Sequence, residues 1–208
     1  MLTLPDKSRI ASLDIHAQKT FTPLCPHELP VEEGHLIVEA LNHNATLAAY
    51  RIGVKEAHHD NAVWIATETL PVMSPVEGEN VDIRWPAHSI VGTEGFELIP
   101  GLPRISDYDY YVWQGIEKDF HPYGVCYHDL KETLSTGIIE FLNVKQVSTV
   151  LVGGLATDYC VKVSVLQLCS AGFEVIVNLS ACRGVSQSTT DEAIELMSRS
   201  GAKILKNI

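Results

Sequence analysis

The sequence has no apolar stretch near the roughly 20 residues that cross a bilayer; the longest, around residues 147–156, is far shorter. Its first residues, MLTLPDKSRIASLDI, lack a long apolar signal region, which points to the cytoplasm. Positive charge is also scarce. Fifteen Lys and Arg stand against 26 Asp and Glu, a net charge of −11, so nucleic acid and anionic membranes are set aside as partners. Cysteine is too sparse for a disulfide framework: five residues, at 25, 126, 160, 169 and 182, an odd number with no Cys-x-x-Cys pair. In a reducing compartment the useful question is which thiol reacts. Repeats, low-complexity runs and linker-like shifts are missing as well, so residues 1–208 read as one domain.

What is present is an alternation of short apolar runs and amphipathic segments. Strands are predicted at 9–15, 54–57, 109–115, 147–154, 173–179 and 202–206, and helices at 31–50, 128–143, 158–171 and 190–200. Residues 67–108 carry many prolines and glycines without periodicity and read as a long surface excursion. This order predicts an α/β fold: a doubly wound three-layer sandwich around a mostly parallel sheet of five or six strands. Ligands then bind beyond the C-terminal strand ends, where Asp14, Glu56, Gln114 and the 154–160 turn fall.

Three constellations at that edge carry chemistry. VGGLATDYCV, 152–161, leaves the most buried strand through two glycines and enters a helix capped by Thr157 or Asp158. Cys160 then falls in the first turn, where free amides favour a thiolate and the amides of Ala156 and Cys160 are placed to hold an oxyanion. A cysteine that merely packs is the alternative. Asp14, ending the first strand, is the natural proton acceptor for Cys160 if it faces it, and otherwise a solvated acid. Glu56 and His58 alternate by two on a strand end and point the same way, and a histidine from the long loop, such as that of WPAH (85–88), would close a metal site; with nine histidines in the chain, a chance cluster is the alternative. His59, His121 and His128 read as surface or core histidines.

The combination resembles the nicotinamidase branch of the isochorismatase-like cysteine hydrolases. The stretches that carry it are LDIHAQKTFTP (13–23), KEAHHDNAVW (55–64), WPAHSIVGTEGFELIPGL (85–102), WQGIEKDFHPYGVCYHD (113–129) and GGLATDYCVKVSVLQLCSAGFEV (153–175). The resemblance implies that Asp14 takes the proton from Cys160, whose thiolate forms a thioester with nicotinamide. Ammonia leaves and water releases nicotinate, feeding NAD salvage. It also implies an oxyanion hole at Ala156 and Cys160, and a cis peptide between Leu155 and Ala156. Phe21, Trp85, Leu155 and Tyr123 would bind substrate. One divalent ion would sit on Glu56, His58 and His88: zinc first, with iron or manganese as alternatives. Members of the family assemble as homo-oligomers.

One position departs from the pattern. The family places a lysine, which stabilises the thiolate, where this chain has Gln114. Three explanations stay open: Lys118 reaches in from four residues on; the chain acts on nicotinamide or another small amide without that charge; or it binds a ligand without turning it over.

Overall fold

The architecture rests on a computed structural model that describes residues 3–208. Six strands form one all-parallel sheet: β1 (Ile10–Ile15), β2 (Tyr50–Glu56), β3 (Tyr110–Gln114), β4 (Thr149–Leu155), β5 (Glu174–Arg183) and β6 (Lys203–Leu205). The helices are α1 (Val38–Leu47), α2 (Ile138–Val144), α3 (Lys162–Ser170) and α4 (Gln187–Arg199). α1 covers one face with Leu41, joined by Ile37 from the turn before it, while α2, α3 and α4 cover the other through residues such as Leu142, Leu168 and Met197. With helices on both faces, every position of β1 and β4 is buried, which is why both read as largely apolar runs, β1 broken only by Ser12 and Asp14.

The structure shifts several predicted boundaries. The first helix stops at Leu47 and β2 begins at Tyr50, so Gly53 lies inside the strand instead of ending the helix. It is glycine there because the ring of Tyr111 packs where a Cβ would stand. The predicted helix over 128–143 shortens to α2. Residues 128–137 are instead a turn in which the Asp129 carboxylate accepts from the amides of Thr133 and Leu134.

The strand order is β3-β2-β1-β4-β5-β6. The chain winds outward from β1 in one direction and from β4 in the other, so the switch point lies between these two strands. Ile15 pairs with Gly154 at that junction, and a side chain on Gly154 would overlap the Ile15 carbonyl. The segments leaving β1 and β4 thus diverge into one crevice. Between β2 and β3 the chain makes the predicted long excursion, which returns over the same edge. Among the described residues no helix is long and apolar enough to cross a membrane.

Candidate active site

Cys160 sits in a wide turn, Thr157–Val161, that leads from β4 into α3; the Leu155–Ala156 peptide before it is cis. The backbone amides of Ala156 and Cys160 lie close enough to the Cys160 sulfur to favour its thiolate. The expected lowering of the thiol's pKa is not found: burial, then the Glu56 carboxylate, outweigh the two amides and push it well up. Cys160 therefore rests as a thiol and needs a neighbour to take its proton. Asp158 does not cap this turn; its carboxylate accepts from Val185, Ser186 and Thr189 and ties down the start of α4.

Asp14 is not that neighbour. Along β1 the side chains alternate, and Leu13 and Ile15 share a core cluster with Cys160, so Asp14 projects from the opposite face of the sheet. There its Oδ2 accepts from Arg51, at 2.6 and 2.9 Å, and from Tyr108 at 2.9 Å. Beside Cys160 lie His16, the first residue beyond the strand, and Glu56, whose Oε1 accepts from the thiol at 3.9 Å. One His16 nitrogen, one Glu56 oxygen and the Cys160 sulfur all lie within 4.8 Å of one another. Burial lowers the pKa of His16 against the opposing pull of Glu56 and Gln114, which leaves a neutral imidazole able to accept a proton.

Gln114, at the end of β3, is buried, and its Oε1 lies 3.3 Å from His16 Nε2. Lys118 is exposed on the following loop, so it does not replace the family's lysine in the site. Gln18, unremarked in the sequence, brackets the end of β2: it donates to the Glu56 carbonyl at 2.9 Å and accepts from the Glu56 amide at 2.8 Å.

Glu56 Oε2 lies 3.1 Å from His58 Nε2 and 3.0 Å from His88 Nε2. His58 Nδ1 lies 2.9 Å from the Gly115 carbonyl and His88 Nδ1 2.7 Å from that of Pro86. A carbonyl only accepts, so each ring carries its proton on Nδ1 and turns a lone pair toward Glu56. A carboxylate and two imidazole lone pairs converging without a proton between them suit a divalent cation. His121 joins this cluster, its ring parallel to that of His58 at 5.3 Å, and neither of its nitrogens has a hydrogen-bond partner.

A cavity of about 120 Å³ opens onto Cys160, Glu56 and His88 between Phe21, Trp85 and Tyr123. Apolar cavities of ~150 Å³ take up one benzene-sized ring, so this is a site for a single small ring. Trp85 stacks on His121 and donates to Tyr123, whose hydroxyl donates to Asp82. Leu155, expected at the substrate, instead packs with Ile37 and Leu41 on the α1 side and does not line the cavity.

The Isochorismatase domain family matches residues 40–207. The chain belongs to the isochorismatase family. It is similar to the nicotinamidase of Acinetobacter baylyi, with 24% identity over 190 residues, 90% of this chain and 87% of that one. Among solved structures, a nicotinamidase/pyrazinamidase of Acinetobacter baumannii superposes with a TM-score of 0.87 at 24% identity, covering 97% of both chains. The pyrazinamidase of Pyrococcus horikoshii in complex with zinc gives a TM-score of 0.76 at 24% identity, covering 95% of this chain and 98% of that one.

Within this isochorismatase-family site, reading by residues missed His16, Gln18 and His121. A signal for His16 was present: Ile15 continues the apolar run past Asp14, so the first polar residue off the strand end is His16. His121 lies in a loop with no periodicity, and nothing in the sequence marks its side chain as buried.

Proposed function

We propose that this isochorismatase-family chain is a cysteine amidohydrolase that converts nicotinamide and water to nicotinate and ammonia, a step of NAD salvage. The observation that carries this reading is the thiol of Cys160, with two amides at its sulfur and a neutral His16 beside it, at the floor of a ring-sized cavity. The similarity to nicotinamidases supports the substrate.

In this mechanism His16 takes the Cys160 proton as the sulfur attacks the carboxamide carbon. The carbonyl oxygen becomes negative and is met by the amides of Ala156 and Cys160. Glu56 Oε1, 3.5 Å from His16 Nδ1, stabilises the imidazolium while it exists. The proton passes to the departing nitrogen, ammonia leaves, and a thioester remains on Cys160. Water gives a proton to His16, attacks the thioester and releases nicotinate, and the sulfur regains its proton. When bound, a divalent cation, zinc as the first choice, supplies a Lewis-acid contact for the ring nitrogen of the substrate. Glu56, His58 and His88 are the residues that would hold it, with His121 alongside. Phe21 and Trp85 flank the ring, and Tyr123 lies at the same wall.

The reading of a silent binding protein rested on the missing lysine, and His16 supplies a proton acceptor without it. Ammonia release from nicotinamide, compared with Cys160→Ala, tests the assignment; release that persists without the thiol would rule it out.

A further inference from the structure

The buried amide of Gln114 has a fixed orientation. Its nitrogen lies 3.0 Å from the Gly124 carbonyl and 2.9 Å from the Tyr127 carbonyl. Both partners only accept, so both amide hydrogens are used there and the remaining atom must be the oxygen. That oxygen faces His16 Nε2 at 3.3 Å. It has no proton to give, so a hydrogen bond forms only when His16 carries its hydrogen on Nε2. The other ring nitrogen, Nδ1, has no hydrogen-bond partner among the described residues and lies 3.5 Å from Glu56 Oε1, the oxygen that accepts from the Cys160 thiol at 3.9 Å.

We infer that Gln114 is a positioning residue: anchored by the carbonyls of Gly124 and Tyr127, it selects the Nε2–H tautomer of His16 and leaves Nδ1 as the open acceptor beside Cys160. The ring then need not reorient or exchange its proton before each transfer. Gln114 touches neither sulfur nor the cavity, so its effect on the reaction runs through His16. The kinetic part of this inference rests on the proposed amidase reading; the tautomer does not.

The test is heteronuclear NMR of the zinc-loaded protein with ¹⁵N-labelled histidine, using His16→Gln to assign the His16 ring. A single Nε2–H tautomer is expected in the unmodified protein. An Nδ1–H ring or a rapidly averaged mixture overturns the inference without any variant. In Gln114→Met, which keeps the bulk but not the acceptor, the ring should move toward Nδ1–H or a mixture. There kcat should fall about tenfold to a hundredfold with KM changed by less than about twofold. An unchanged tautomer in that variant also overturns the inference. If the expected tautomer is found but nicotinamide is not hydrolysed, the amidase reading fails and the positioning role stands; turnover with an Nδ1–H ring separates them the other way.

Discussion

His16 and Cys160 meet across the switch point of the sheet, His16 carried off the end of β1 and Cys160 by the turn that leaves β4. A one-position alternation decides which polar residue of β1 does so. Asp14 points to the α1 face and Arg51, whereas His16 has already left the strand, with its backbone amide held by the Val54 carbonyl at 2.9 Å.

Replacing these two residues should therefore separate stability from turnover. Asp14→Asn leaves a largely buried Arg51 without its carboxylate and is expected to cost about 3 kcal/mol in chemical denaturation, with kcat within about twofold of the unmodified enzyme. His16→Gln is expected to lower kcat by about 10²–10⁴. The reverse pattern would return the proton-accepting role to Asp14.

The structure also predicts the outcome of restoring a lysine. An ammonium at position 114 donates only, so it would face His16 Nε2 as a donor and meet no acceptor unless the ring moved its hydrogen to Nδ1. Gln114→Lys is expected to lower kcat at least about tenfold. A rise in rate in the steady-state assay would show that the site lacks a charge and not a tautomer.

For the proposed cation, elemental analysis of protein dialysed against trace zinc should find one ion per chain. Glu56→Gln, which weakens the carboxylate between His58 and His88, should lower zinc affinity by at least about tenfold in a competition titration with a chelator. Equal zinc content in both proteins would place the ion elsewhere.

Lys55 gives a prediction away from the chemistry. Its side chain is buried with Nζ 3.2 Å from the centre of the Phe96 ring, and burial, partly opposed by Glu97, lowers its pKa to about 8. From there to about 10.5 the unfolded chain holds the proton that the folded chain has released, so stability rises with pH. Unfolding free energy should rise across this window by about 1–2 kcal/mol relative to Lys55→Met, after discounting for solvent screening. A flat difference would show that the ammonium loses nothing on folding.

The sheet was legible because strands buried on both faces are mostly apolar, as β4 is and as β1 is apart from Ser12 and Asp14. The start of β2 was not, since Arg51 and Gly53 interrupt its pattern for tertiary reasons: one pairs with Asp14, the other makes room for Tyr111. Cys160, Glu56, His58 and His88 could be picked out because strand ends and a glycine-rich exit fix where their side chains go. Asp14 misled because an acid at a strand end looks the same whichever face it takes. Gln114 reads in sequence only as a departure from a lysine because its partner, His16, lies 98 residues away.

The most direct measurement is ammonia release from nicotinamide by the zinc-loaded enzyme, run beside Cys160→Ala and His16→Gln. Release by the unmodified protein, abolished in the first variant and lowered by about 10²–10⁴ in the second, is the predicted result. Full activity in His16→Gln, or release independent of Cys160, would contradict the account.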